Sequence, residues 1–307
     1  MVLKKNVSLI DVGGFRLNSV LVFSPSLPVT NTVLFIHGAS TSLLDPFYSF
    51  SHICPENMQM LFVDRPGHGK SEFGPSENIR PDAQADAIAT LMQRRCVENA
   101  IIVSHSYGGA VAAALAVRHP HKVAGLIFLS PAVYPWNGGI SWFNNIAKLP
   151  VLGAIFSFYV APALGRAVLK RATEAVFKPN ELPHDYIRRA KTSQALRPRA
   201  FQRNARELAA LSKWAEKASQ KYRQIEAPTI ILTGDKDDIV SPNVHAKRLA
   251  EAIKQSKLFI IKGLGHKSDY IARKFVVSAI MQLTGRDLDL NSLAQKVEDE
   301  IELKARS

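Results

Sequence analysis

The stretch AIIVSHSYGGAVAAALAV, residues 100–117, passes from a run of apolar residues to a run of small ones within a few positions. Ala100 to Val103 reads as a buried strand and Ala110 to Val117 as a helix that can pack closely. Between them Ser106 sits where the chain must turn sharply from strand to helix, with a glycine two residues later. That arrangement is a nucleophile elbow, in which the turn holds a serine hydroxyl exposed on strained backbone. Ser104 and Gly108 have to be small so that strand and helix can pass one another. Glycine is usual at the first of these positions, and this chain has Ser104 instead.

Outward from the elbow the chain alternates strand and helix. On its N-terminal side, Thr32 to Ile36 and Met58 to Val63 read as apolar strands. The first ends at His37-Gly38-Ala39-Ser40 and the second at the turn-rich loop Asp64 to Ser71. Two shorter runs, Val7–Ile10 and Phe15–Phe23, meet at Gly13-Gly14 as a hairpin. Helices are expected over 46–53 and over 81–96, the latter with Pro81 in its first turn. On the C-terminal side, strands are expected over 123–129, 228–233 and 258–261, with helices over 242–253 and 270–283. The charged tail, 287–307, has apolar residues at helical spacing and reads as a surface or partner-binding helix. Such alternation implies an α/β protein with a mainly parallel sheet covered on both faces.

One block breaks the pattern. From about Ala132 to Glu216 no strand is evident. The first half is aromatic and apolar, and the second is basic and helical, with fifteen Lys or Arg and five Asp or Glu between Leu164 and Arg223. This block (132–216) reads as a helical insertion into a core made of 1–131 and 217–307, lying over the C-terminal ends of the strands, where ligands bind in such sheets.

Composition limits the function classes. The chain has 307 residues, 47 % of them apolar, enough for one large domain with an insertion. The N-terminus is basic without an apolar signal core, and no run of strongly apolar residues is long enough to span a membrane. Two cysteines, Cys54 and Cys96, without metal-ligand spacing point to free thiols and a cytoplasmic location. The net charge of +13 comes with no nucleic-acid-binding motif, so nucleic acid is not an expected partner. Solubility explains the charge more simply than contact with a membrane surface. No metal or other cofactor is expected, since neither metal-ligand spacing nor a phosphate loop occurs.

Nucleophilic hydrolysis through serine needs a base, a carboxylate to orient it, and donors for an oxyanion. Gly263-Leu264-Gly265-His266 follows a strand and leaves room for an exposed imidazole, so His266 is the candidate base. Gly234-Asp235-Lys236-Asp237-Asp238 follows the preceding strand, and three carboxylates compete there. Asp237 is preferred because its distance from Gly234 lets it turn back towards His266, with Asp235 and Asp238 read as solvated or turn-forming. The backbone N–H groups of Tyr107 and Ala39 are the expected oxyanion donors. His37 and His68 read as loop-structuring residues and His105 as packing beside the sheet.

Taken together, HGAS (37–40), DRPGHGKSE (64–72), SHSYGG (104–109), GDKDD (234–238) and GLGH (263–266) resemble the α/β-hydrolase superfamily. The resemblance implies an eight-stranded sheet with an inserted helical cap and a triad of Ser106, Asp237 and His266. It implies acyl transfer on an ester, thioester or related carbonyl compound through an acyl-enzyme. A serine in the elbow disfavours the dehalogenase and epoxide hydrolase branches, which carry aspartate there. The aromatics of the block, Trp136, Phe143, Phe156 and Tyr159 among them, read as contacts for the apolar part of a small-molecule substrate, or equally as packing within the cap. A carbon–carbon bond hydrolase or perhydrolase on the same triad, or a ligand receptor of the same fold, are the alternatives.

Overall fold

The computed structural model describes residues 3–24, 29–53, 55, 57–137, 142–149, 153, 157–158 and 161–306. In chain order its elements are β1 (Lys4–Asp11), β2 (Arg16–Phe23), β3 (Asn31–Ile36), α1 (Leu44–Phe50), β4 (Met58–Val63), α2 (Pro81–Arg94), β5 (Ala100–His105), α3 (Tyr107–Arg118) and β6 (Val123–Leu129). Between β6 and β7 come α4 (Trp142–Ala147), α5 (Ala161–Phe177), α6 (Tyr186–Arg189) and α7 (Pro198–Ala218). The chain closes with β7 (Thr229–Gly234), α8 (Ala246–Ala252), β8 (Ser256–Ile261), α9 (Ser268–Ile271), α10 (Arg273–Leu283) and α11 (Leu290–Arg306).

The strands form one eight-stranded sheet in the order β1-β2-β4-β3-β5-β6-β7-β8. The hairpin β1–β2 and the β2–β4 pairing are antiparallel, and every other pairing is parallel. Alternate residues of the central strands serve opposite faces, as the two-residue period of a strand requires. Leu34, Ile36 and Ile102 pack with α2, α3 and α8, whereas Val33, Phe35, Ile101 and Val103 pack with α1, α10 and α11. Both faces are therefore covered, and this is why the strands read as unbroken apolar runs.

Several boundaries differ from the sequence expectation. The helix expected over 242–253 begins only at Ala246, because residues 241–245 form a turn in which the N–H groups of Val244 and His245 donate to Ser241 O. The helix expected over 270–283 is two helices separated at Ala272, at φ −95° and ψ 26°. Within α9 the Tyr270 hydroxyl donates to Asp45 O at 3.0 Å, and Asp269 accepts from the Lys267 ammonium at 2.9 Å. The tail helix α11 is not a free partner surface on its apolar side. Leu290 and Val297 are buried against the second face of the sheet, and Glu298 accepts the Lys262 N–H at 2.8 Å. No helix among the described residues is long and apolar enough to cross a membrane.

Candidate active site

Ser106 stands between β5 and α3 with φ 53° and ψ −119°, a conformation that is strained for a residue with a side chain. Its backbone holds it there. Its N–H donates to Leu129 O at 3.0 Å, and its carbonyl accepts from Gly109 at 2.9 Å and Ala132 at 3.1 Å. The turn demands small neighbours. A Cβ on Gly108 would collide with the carbonyl of Ile36 and reach 2.8 Å from that of His37. Ser104 fits where glycine is usual, because its hydroxyl points to Ile127 O, 3.4 Å away on β6.

Of the three carboxylates after β7, Asp237 is the one that meets His266. Its Oδ2 lies 2.9 Å from His266 Nδ1, while Oδ1 accepts the N–H groups of Ile239 at 3.0 Å and Val240 at 2.8 Å. Burial pushes the Asp237 carboxyl up, but the imidazole and the two backbone donors outweigh it and hold the group below its ordinary range. Asp235 instead accepts Gly263 N–H at 2.7 Å, and Asp238 is exposed at the cavity rim. The His266 loop is fixed from two sides. His105 Nε2 donates to His266 O at 2.9 Å, and Asn180 exchanges two hydrogen bonds with Gly263 and Gly265.

The loop after β3 completes the arrangement. A Cβ on Gly38 would lie 3.3 Å from Ser106 Cβ, so the loop passes close over the elbow. The N–H groups of Ala39 and Tyr107 have no acceptor among the described residues. Arg65 braces the loop, donating from Nη2 to Gly38 O at 2.9 Å and from Nε to His37 O at 3.1 Å. His37 accepts the Arg65 N–H at Nε2 and donates from Nδ1 to Gly38 O at 2.8 Å.

Two buried ionic clusters flank the site, and neither was evident from sequence. In the first, Glu207 of α7 pairs with Arg65 at 2.9 Å, His68 at 2.9 Å and Arg203 at 3.0 Å, and it accepts from Gln84 at 3.0 Å. Burial opposes ionisation of Glu207, yet His68, Arg65 and Arg203 lower its pKa to about 2. In the second, the Lys267 ammonium bridges Asp45 at 3.0 Å and Asp269 at 2.9 Å, and Tyr186 donates to Asp45 at 2.9 Å. Burial penalises the ammonium, but Asp269 and Asp45 more than compensate and raise its pKa. Asp45, His105 and Asp269 also bring potential metal-ligand atoms together, but Lys267 already supplies the cation between the carboxylates. Their partners lie up to 222 positions apart in the chain.

Ser106, Asp237, His266, Ala39 and Tyr107 all line one cavity of about 1590 Å³. Trp136 lines it too. The Phe143 side chain, Phe156 and Tyr159 lie outside the described residues. Much of the apolar wall comes instead from the half of the block that read as basic: Leu164, Val168 and Leu169 of α5, Leu196, and Leu208 and Leu211 of α7. Helical periodicity separates these residues from the exposed basic ones, such as Lys170 and Arg171 of α5.

A family model of the alpha/beta hydrolase fold matches residues 31–268, most of the chain. The chain belongs to the α/β-hydrolase family. Its relatives include Lipase LipV of Mycobacterium tuberculosis, 37 % identical over 36 % of this chain and 40 % of that lipase. The 2-hydroxy-6-oxo-6-phenylhexa-2,4-dienoate hydrolase of Comamonas testosteroni is 26 % identical over 68 % of this chain and 70 % of that enzyme. Among solved structures, the hydrolase of the same name from a Rhodococcus strain superposes with a TM-score of 0.72 at 18 % identity. That match covers 93 % of this chain and all of the other, and at this identity it speaks for the fold alone. The mostly parallel eight-stranded sheet of this chain is that of the α/β-hydrolase fold.

Proposed function

We propose that the protein is a serine hydrolase acting on an ester, thioester or related carbonyl compound with an apolar part, through an acyl-enzyme. One observation carries the reading. A His266–Asp237 pair at 2.9 Å shares a cavity with a serine held at a strained strand–helix turn. With Asp237 accepting at Nδ1–H, the free edge of the His266 ring is Nε2, the atom that takes the Ser106 proton as Oγ attacks the carbonyl. The oxyanion that forms is met by the N–H groups of Ala39 and Tyr107, which have no other acceptor among the described residues. His266 then returns the proton to the leaving group, and water releases the acyl group by the same route.

The segment between β6 and β7 acts in this reading as a cap, spanning about 132–216. Its α5 and α7 supply aliphatic wall to the cavity, and its Asn180 and Asn204 tie it to the loops that carry His266 and Gly38. Trp136 contacts the apolar part of the substrate, and the undescribed aromatics Phe143, Phe156 and Tyr159 belong to the same region of the chain.

The test is covalent. A fluorophosphonate labels the wild type at Ser106, and Ser106→Ala abolishes both labelling and turnover of short-chain aryl esters while its circular dichroism stays unchanged. Turnover that survives in Ser106→Ala overturns the proposal. The similarity to the Comamonas hydrolase motivates a second reading, cleavage of a carbon–carbon bond by the same residues. Diketone substrates turned over faster than every ester of matched size would favour it.

A further inference from the structure

One polar group in the cavity wall has no part in the chemistry above. His245 is the residue before α8, lines the same cavity as Ser106 and sits with its ring 6.1 Å from that of Trp136. Its Nδ1 accepts the backbone N–H groups of Val133 at 3.2 Å and Tyr134 at 3.1 Å. Two donors converging on one ring nitrogen leave no room for a proton there, so the neutral ring carries its proton on Nε2. Nε2 has no protein partner among the described residues and is not sealed off from the cavity. Burial keeps the ring uncharged near neutrality. It lowers the pKa to about 4, with Asp237 opposing and Arg248 reinforcing the shift.

The consequence is a neutral N–H donor of fixed tautomer in a cavity whose lining also includes Trp136, Val240 and Val244. A purely hydrocarbon substrate would leave this donor unmatched, which costs binding free energy. Asp237, Asp238 and Arg248 also line the cavity, with Arg248 stacked on the Tyr134 ring at 4.2 Å. Charges of both signs therefore stand near the His245 ring, and a neutral acceptor is the group that meets its N–H without opposing either. From this geometry we infer that His245 Nε2–H binds a neutral oxygen acceptor on the substrate. The preferred substrates are then acyl compounds carrying a second, ketone-type oxygen along their apolar part. The inference rests on the reading of Ser106 as the nucleophile of a carbonyl hydrolase.

Aryl esters of oxoalkanoic acids, with the ketone moved one carbon at a time, are compared with alkanoate esters of equal length. The wild type is expected to favour at least one oxo ester by about five- to tenfold in kcat/KM, the worth of one neutral hydrogen bond. In His245→Asn, the shorter amide oxygen takes the place of Nδ1 and keeps Val133 and Tyr134 paired, but nothing stands where Nε2 stood. That variant loses the preference, and His245→Gln, whose amide reaches further, recovers part of it. A wild type that discriminates none of the pairs overturns the inference, as does an equal fall for both ester classes in His245→Asn, which would be a structural effect only. The same esters are also titrated calorimetrically into Ser106→Ala with and without His245→Asn. Absence of turnover in the wild type would sink the Ser106 reading, whereas absence of a His245-dependent affinity difference would sink this one.

Discussion

Asp237 gives its two oxygens to different partners, and a one-atom substitution separates their roles. Oδ1 is held by two backbone donors, so in Asp237→Asn the amide oxygen stays with Ile239 and Val240 and the amide nitrogen turns to His266. Nδ1 must then accept rather than donate, and the proton moves to Nε2, the atom that should receive the Ser106 proton. Activity is expected to fall by about 10³–10⁴-fold while stability changes by less than about 1 kcal/mol. Paired measurements of kcat/KM and urea unfolding check it, and a loss of stability as large as the loss of transition-state binding would refute it. The choice of Asp237 among three neighbours was open to sequence reasoning because a short turn limits which residue can face back from Gly234. The role of His105 was not. Its partner is the carbonyl of His266, 161 residues away, and no local pattern encodes that bond.

At the scale of elements, α7 links the proposed cap to the loop that carries Ala39. Arg203, Asn204, Glu207 and Leu211 share one buried face of this helix. Asn204 Oδ1 accepts the N–H of Ser40 at 2.8 Å, and Ser40 itself sits at φ 55°. Removing that acceptor in Asn204→Ala frees the loop and misplaces the Ala39 N–H. The expected cost is about tenfold in kcat with little change in KM, equivalent to about 1.4 kcal/mol of transition-state stabilisation. Affinity for an aryl boronate, which forms a tetrahedral adduct on serine, should fall in parallel, and affinity for the product acid should not. If both affinities fall together, Asn204 shapes the cavity rather than the loop. Glu207→Gln addresses the same helix from the stability side. It leaves Arg65 buried with only neutral partners, a change worth about 3–5 kcal/mol by denaturant unfolding. Strands and their end loops were legible because apolar runs stop abruptly at turn residues. The inner face of α7 was not, since Arg203, Asn204 and Glu207 in a basic stretch look solvated until Arg65, His68 and Gln84 arrive from the core. The aliphatic wall of α5 escaped notice for a related reason, its helix being labelled by its charges rather than by its period.

For the whole molecule, the strand order, the two covered faces and the family were readable from motifs in chain order, because each motif closes a strand at the same edge of the sheet. Electrostatic consequences of burial were not. His37, His68, His105 and His245 are all buried, and in each case burial is the largest cause holding the pKa below its ordinary value. The unfolded chain protonates these rings as pH falls through about 6.5, and the folded chain does so only at lower pH. The unfolded state therefore binds more protons in this window, so stability is full above about pH 6.5 and declines on acidification. For His245, with a folded value of about 4, the loss between pH 7 and pH 5 is about 2 kcal/mol. The other three act in the same direction. The carboxylates held low, Glu207 at about 2 and Asp237 below its ordinary range, lose their contribution only at lower pH, as pH falls through their folded values. A net charge of +13 adds self-repulsion as further protons bind. Against a total stability of roughly 5–15 kcal/mol, acid unfolding should set in near pH 5 rather than near pH 3. Urea midpoints measured from pH 8 to pH 5 should hold level to about pH 6.5 and then fall steeply, with uptake of more than one proton on unfolding. A midpoint that stays level down to pH 5 would mean that these histidines are protonated in the folded protein, contrary to the hydrogen bonds that Nδ1 of His245 and Nε2 of His37 accept from backbone N–H groups.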